Sequence, residues 1–180
     1  MRLFRYDSLD STNSEAKRLL DQSPEFLDLG FSILAKHQSK GRGQFSRSWI
    51  SEPGGFYYTL AIQPNQLDSC NLSVRVGRIV CDVLRTLYAI QVDIEWPNDL
   101  ILNAKKVGGI LIESASSSGK KAPRYLLIGI GINLNQTSFP SEIKTQASSL
   151  YLLTKRHFDP AKLPHALAEA LVSDIMPPSS

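Results

Sequence analysis

The stretch from Tyr125 to Leu134 constrains this chain most, because Tyr125, Leu127 and the residues beyond make it apolar on both faces of an extended strand. Such a strand is stable only with both faces covered, so it is expected at the centre of a sheet. The clearest helix lies upstream. From Asn71 to Ile90 the residues Leu72, Val76, Ile79, Val80, Val83, Leu84 and Leu87 recur at helical spacing and predict a core-packing element.

Residues 3 to 6, Phe31 to Ala35, Gly55 to Gln63, Val92 to Trp96, Asp99 to Leu102 and Lys106 to Glu113 read as further strands, with Asn103-Ala104 as the turn between the last two. Thr12 and Glu15 have capping-box spacing at the start of a helix with Ala16, Leu19 and Leu20 on its apolar face. Leu163, Leu167, Leu171 and Ile175 recur every four residues, so a last helix should begin near Asp159 or Leu163. Pro164 favours the later start or a kink, since proline in a helix interior costs about 3 kcal/mol. Ser114 to Pro123 is expected to be a mobile loop. Strands outnumber helices and hairpins sit beside helical segments. The fold class is therefore α+β, a mixed sheet with helices packed mainly on one face, and the 180 residues suit a single domain over 1–180.

Composition excludes several roles. A formal charge of +3 is too small to argue for a nucleic-acid surface. The N-terminus has no apolar signal region and no stretch is long enough to span a bilayer, which predicts a soluble, cytoplasmic chain with no membrane partner. Cys70 and Cys81 have neither zinc nor redox spacing, and Cys81 falls on an apolar helix face where burial as a small hydrophobe is expected. No protein-held metal site is expected. Of the histidines His37, His157 and His165, only His37 adjoins a motif, and its role is read as structural.

Four segments stand out chemically. Gln38 to Trp49 combines Gly41 and Gly43, through which backbone can approach an anion, with the guanidinium groups of Arg42 and Arg47 and the flat indole of Trp49. It is not a P-loop, because no Gly-Lys-Ser/Thr follows at the required spacing. Glu95-Trp96-Pro97-Asn98-Asp99 joins two strands, and an Asn-Asp turn would account for it alone. Lys106-Val107-Gly108-Gly109 opens a strand with two glycines, and Gly129-Ile130-Gly131-Ile132-Asn133 repeats the oddity. Glycines inside strands mark a bulge or a close approach of ligand or backbone.

In order and spacing, these segments and Ser11-Thr12-Asn13 resemble the catalytic domain of the biotin-protein ligases, over about Leu9 to Asn135. That family shares a class II synthetase-like fold with lipoate ligases. The resemblance implies activation of biotin by ATP to biotinyl-5'-adenylate, then transfer to a lysine of a biotin carboxyl carrier domain, such as that of acetyl-CoA carboxylase. It implies magnesium carried largely by the ATP phosphates. Gln44 and Ser46 stand where many relatives have arginine and glycine, and Glu95 where many have lysine.

By the same resemblance Lys106, Arg42, Arg47 and Asp99 are the candidate catalytic residues, with Lys106 beside the biotin carboxylate and the α-phosphate. Ser11, Thr12, Asn13 and Gln38 would bind the biotin ring system, with Gly41, Arg42 and Gly43 of the loop. Gly108 and Gly109 would leave room for it. Trp49 would cover the adenine, Asn133 would read its edge, and Arg42, Arg47, Asn98 and Lys106 would complete the nucleotide side. Asn98 and Asp99 could instead orient Lys106 or a magnesium-bound water, or shape the turn. No helix-turn-helix segment precedes Met1, so repressor activity is not expected, and a homodimer is compatible with the resemblance. The rival readings are a lipoate or octanoate ligase or transferase, and a catalytically weak module that binds biotin or a carrier.

Overall fold

A computed structural model describes residues 1–22, 30–63, 71–116 and 124–176. In chain order the strands are β1 (Arg2–Leu9), β2 (Phe31–Gln38), β3 (Phe56–Ile62), β4 (Asp93–Glu95), β5 (Asp99–Leu102), β6 (Lys105–Ser116) and β7 (Arg124–Ile132). The helices are α1 (Thr12–Gln22), α2 (Leu72–Tyr88), α3 (Leu150–Thr154) and α4 (Leu163–Ile175). All seven strands form one sheet in the order β1-β2-β3-β7-β6-β5-β4, which puts β7 fourth, at its centre. The sheet is mixed because β1 runs parallel to β2, with α1 as the crossover, while the remaining pairs are antiparallel.

Alternation along the central strands separates the two faces. Leu126, Ile128, Ile130 and Ile132 of β7, with Phe56, Tyr58, Leu60 and Ile62 of β3, enter the large core beneath α2 and α4. The other side of β7 carries Tyr125 and Leu127 against Ala16 and Leu20 of α1, followed by Gly129 and Gly131, which carry no side chain. Helices thus lie mainly on one face, and α1 shares the second face with an open site.

Local expectations fare unevenly. Asn103 and Ala104, both at positive φ, make the two-residue turn from β5 to β6. α4 takes the later start, which places Pro164 in its first turn, where its missing N–H costs nothing. Asp159 instead caps a short 3-10 turn through its carboxylate and the Ala161 N–H. The expected capping box does not form. Both the Thr12 N–H and its hydroxyl donate to Gln38 Oε1, and the Glu15 carboxylate accepts from Tyr6 and Arg18. Ser114 to Ser116 extend β6, whereas the rest of the expected 114–123 loop lies outside the described residues, as does Cys70. Cys81 packs half-buried against the core, and burial pushes its thiol up to about 11. No helix among the described residues is long and apolar enough to cross a membrane.

Candidate active site

The glycine face of β6 and β7 is the floor of a cavity of about 320 Å³. Its geometry depends on one irregularity. The β5–β6 register shifts between Leu100 and Ile101, so that Leu100 pairs with Gly108 while Ile101 pairs with Lys106. Residues three apart in a regular strand point to opposite faces; the extra residue of a bulge lets Lys106 and Gly109 both face the cavity. Val107 turns into the core.

One end of the cavity is built by hydrogen bonding between α1 and β2. Gln38 Oε1 accepts from the Thr12 N–H at 2.8 Å and from its hydroxyl at 3.1 Å, and Gln38 Nε2 donates to Ser51 Oγ at 2.8 Å. Ser11 and Asn13 line the same end. Asn13 is buried with its amide committed on both sides: Oδ1 accepts from Thr59 and Nδ2 donates to Glu113. Its position is that of a support, not a free ligand-binding group.

A small hairpin covers the middle. Arg42 pairs with Ser48 in an isolated bridge, and the chain turns at Phe45, which sits at φ 55. Gly41 does not line the cavity; a Cβ there would lie 2.4 Å from the Trp49 carbonyl oxygen, so this glycine is required by backbone packing. Arg42, Gly43 and Arg47 do line it. The Trp49 ring lies on the floor glycines, where a Cβ on Gly131 would come within 2.9 Å of it and one on Gly109 within 3.2 Å. Its indole N–H is buried without an acceptor among the described residues. The side chain of Ser46 lies outside them.

At the far end Lys106 Nζ contacts Asp99 Oδ2 at 2.7 Å and stands 5.5 Å from the centre of the Trp49 ring. Asn98 Nδ2 donates to the Ile110 carbonyl, and the Ile110 N–H donates back to Asn98 O, so this residue also pins the turn to β6. Trp96, 77% exposed, forms the rim. Lys105, next in sequence to Lys106, points away and donates to the Thr145 carbonyl.

Besides Gly41, two more of the expected site residues lie off the cavity. Gly108 does not provide room for a ligand: it lies outside the cavity, and a Cβ there would meet Leu100 Cδ1 and the Gly131 carbonyl oxygen at 2.8 Å. Asn133 does not face the cavity either. It is buried, and its amide donates to the Ser148 carbonyl at 3.0 Å. The sequence singles out Gly129 and Gly131 without giving them a role, and it gives no sign of Glu113. Gly129 and Gly131 form the floor, which their period of two could have indicated. Glu113 joins the Asn13 amide, Lys17 at 2.8 Å and Arg42 at 2.9 Å, partners no local pattern reveals. Desolvation pushes its carboxyl up, but the bonds from Lys17 and Asn13 and the charge of Arg42 outweigh that and hold it below its usual range.

Residues 7–133 match the model of the biotin/lipoate A/B protein ligase family. The bifunctional ligase/repressor BirA of Bacillus subtilis is 36% identical over 154 residues, which is 82% of this chain and 46% of BirA. The biotin--[acetyl-CoA-carboxylase] ligase of Paracoccus denitrificans is 38% identical over 129 residues, covering 69% and 51%. The chain thus spans about half the length of these curated relatives. The biotin protein ligase of Aquifex aeolicus in complex with biotin and ATP superposes with a TM-score of 0.81 at 30% identity, over 97% of this chain and 70% of that one. With the match running from β1 through β7 and enclosing the whole cavity, the chain belongs to the biotin/lipoate A/B protein ligase family.

Proposed function

We propose that this chain activates biotin with ATP and transfers the biotinyl group to a lysine of a carboxyl carrier domain, acting in the cytoplasm. The observation that carries the reading is the cavity itself: a polar end at Ser11, Thr12 and Gln38, a glycine floor beneath an indole, and a lysine ammonium at the other end. A ureido ring, which both donates and accepts, suits the polar end. The dithiolane of lipoate has no matching groups, and this favours biotin over the lipoate reading.

In the first step a biotin carboxylate oxygen attacks the α-phosphorus of ATP and pyrophosphate leaves. In the second the carrier amine attacks the acyl carbon, AMP leaves, and the amine gives up a proton. Charge is the main obstacle to the first step. A carboxylate about 4 Å from a phosphate meets repulsion on the order of 4 kcal/mol at an effective dielectric near 20. Lys106 offsets it from the cavity end, its ammonium held by Asp99, and Arg47 adds positive charge on the hairpin. The described residues contain no group of three or more potential metal-ligating side chains. The carboxylates nearest the cavity are already held, Asp99 by Lys106 and Glu113 by Lys17 and Arg42. By the family resemblance, magnesium is assigned to the ATP phosphates as part of the substrate.

Arg42, Gly43, Arg47 and Trp49 of one hairpin line the cavity, so the hairpin serves both ligands and their binding should be coupled. Calorimetric titration tests this directly. Biotin binds, desthiobiotin binds more weakly, lipoate scarcely binds, and ATP binds more tightly once biotin is present. Tight lipoate binding with none by biotin would move the chain to the lipoate branch.

A further inference from the structure

Three motif segments that are far apart in sequence meet at one carboxylate that the proposed chemistry does not use. Glu113 Oε2 accepts from Asn13 Nδ2 at 2.7 Å and from Arg42 Nη2 at 2.9 Å, and its Oε1 accepts from Lys17 Nζ at 2.8 Å. Arg42 also donates from Nη1 to Ser14 Oγ at 2.9 Å. We propose that Glu113 is a positioning residue that holds the Gly41 to Trp49 hairpin closed over the cavity, acting through Arg42.

An exposed ion pair alone would do little, because ordering two long side chains offsets most of the gain. Here the acceptor is placed in advance. Asn13 is buried and anchored by the Thr59 hydroxyl at 2.6 Å, with its amide against the backbone position of Gly129, so Glu113 is fixed before Arg42 arrives. Its side chain is 24% exposed, whereas that of Arg42 is 39% exposed. The hairpin then transmits the constraint. The Trp49 backbone N–H donates to Gly41 O at 2.9 Å, and Gly41 is packed too closely against the Trp49 carbonyl to accept a side chain. Displacing Arg42 must therefore disturb the indole resting on Gly109 and Gly131. On the opposite side of the hairpin, Arg47 has no ion pair among the described residues, so Arg42 is the charged side chain that ties it to α1 and β6.

The test compares Glu113→Gln, Arg42→Gln and Lys17→Gln in the whole chain. Amide hydrogen exchange over residues 42–48 is followed without ligand, and biotin-dependent pyrophosphate exchange is measured in parallel. Glu113→Gln and Arg42→Gln should each raise hairpin exchange by about tenfold or more. Lys17→Gln, which loses a bond to Glu113 but not Arg42, should stay within about twofold of wild type. In Glu113→Gln the KM for biotin should rise about tenfold with kcat within about threefold, and Glu113→Asp should recover part of the loss. A purely structural role would lower melting temperature without that split. Unchanged hairpin exchange in Glu113→Gln overturns the proposal; if that variant does not fold, unchanged exchange in Arg42→Gln does so. The kinetic half rests on the biotin-ligase reading. Wild type that shows no biotin-dependent exchange defeats that reading, while the hairpin measurement still decides the role of Glu113.

Discussion

The two faces of β7 differ in the residues they present. Toward α2 and α4 it offers Leu126, Ile128, Ile130 and Ile132, all buried in the large core. Toward α1 and the cavity it offers Tyr125, Leu127, Gly129 and Gly131, so that side chain volume falls to nothing where Trp49 lies. A sheet buried on both faces would be more stable with large residues at every position. The glycines give up apolar burial on one half of one face, and the space gained is the site. Stability and chemistry should therefore separate by face, and mutations can show whether they do.

The largest expected effect is chemical and lies at the cavity end. Lys106→Ala should lower biotin-dependent exchange by about a hundredfold or more, the scale of losing a charge at a reacting centre. Its melting temperature should barely move, because the lost ion pair with Asp99 is partly exposed and contributes no more than about 1 kcal/mol. Lys105→Ala, beside it but bonded to Thr145 O, should keep near-normal exchange. Equal losses in the two would show that position on the cavity face is irrelevant. On the opposite face Ile128→Ala should cost about 2–5 kcal/mol in denaturant unfolding, yet leave the folded fraction with near-normal KM.

Gly131→Ala sharpens the contrast, because it fills the floor instead of emptying the core. Its Cβ would fall 2.9 Å from the Trp49 ring, which can lift away at little cost to the fold. Binding of biotin should weaken by about tenfold, with unfolding free energy changed by no more than about 1 kcal/mol. A stability loss as large as that of Ile128→Ala would mean that the floor is packing, not site.

The smallest effect concerns acid. Arg18 holds the Asp10 carboxyl down to about 2, and Glu113 lies below its ordinary value of 4.5. Carboxyls depressed on folding contribute stability that is fully present above their unfolded values and is lost as pH falls through the folded ones. Melting temperature should thus hold down to about pH 4.5 and drop below it. Glu113→Gln should flatten the start of that drop, which also loosens Arg42 from the cavity side. A profile identical to wild type would remove Glu113 from the acid response.

The core was legible in the sequence because it repeats. Period four announced Leu163 to Ile175, apolarity on both faces put β7 in the centre, and Asn103-Ala104 marked the turn from β5 to β6. What failed depended on contacts between distant residues. Thr12 looked like a capping residue until Gln38 claimed both its donors. Gly108 and Gly109 looked equivalent, but strand alternation turns one to the core and the other to the cavity, and only the bulge beside Val107 brings Lys106 onto the Gly109 side. Asn133 ends an apolar strand with an amide, and nothing local reveals that Ser148 accepts its hydrogen bond. α3 is five residues long and paired to no repeating pattern, so it passed unread.

The most direct test is exchange of labelled pyrophosphate into ATP by the unmodified chain, with biotin, with lipoate and with neither acid. Exchange that requires biotin and is not supported by lipoate is the predicted result. Exchange supported by lipoate alone, or none with either acid despite measurable ATP binding, would contradict the claim that this cavity activates biotin.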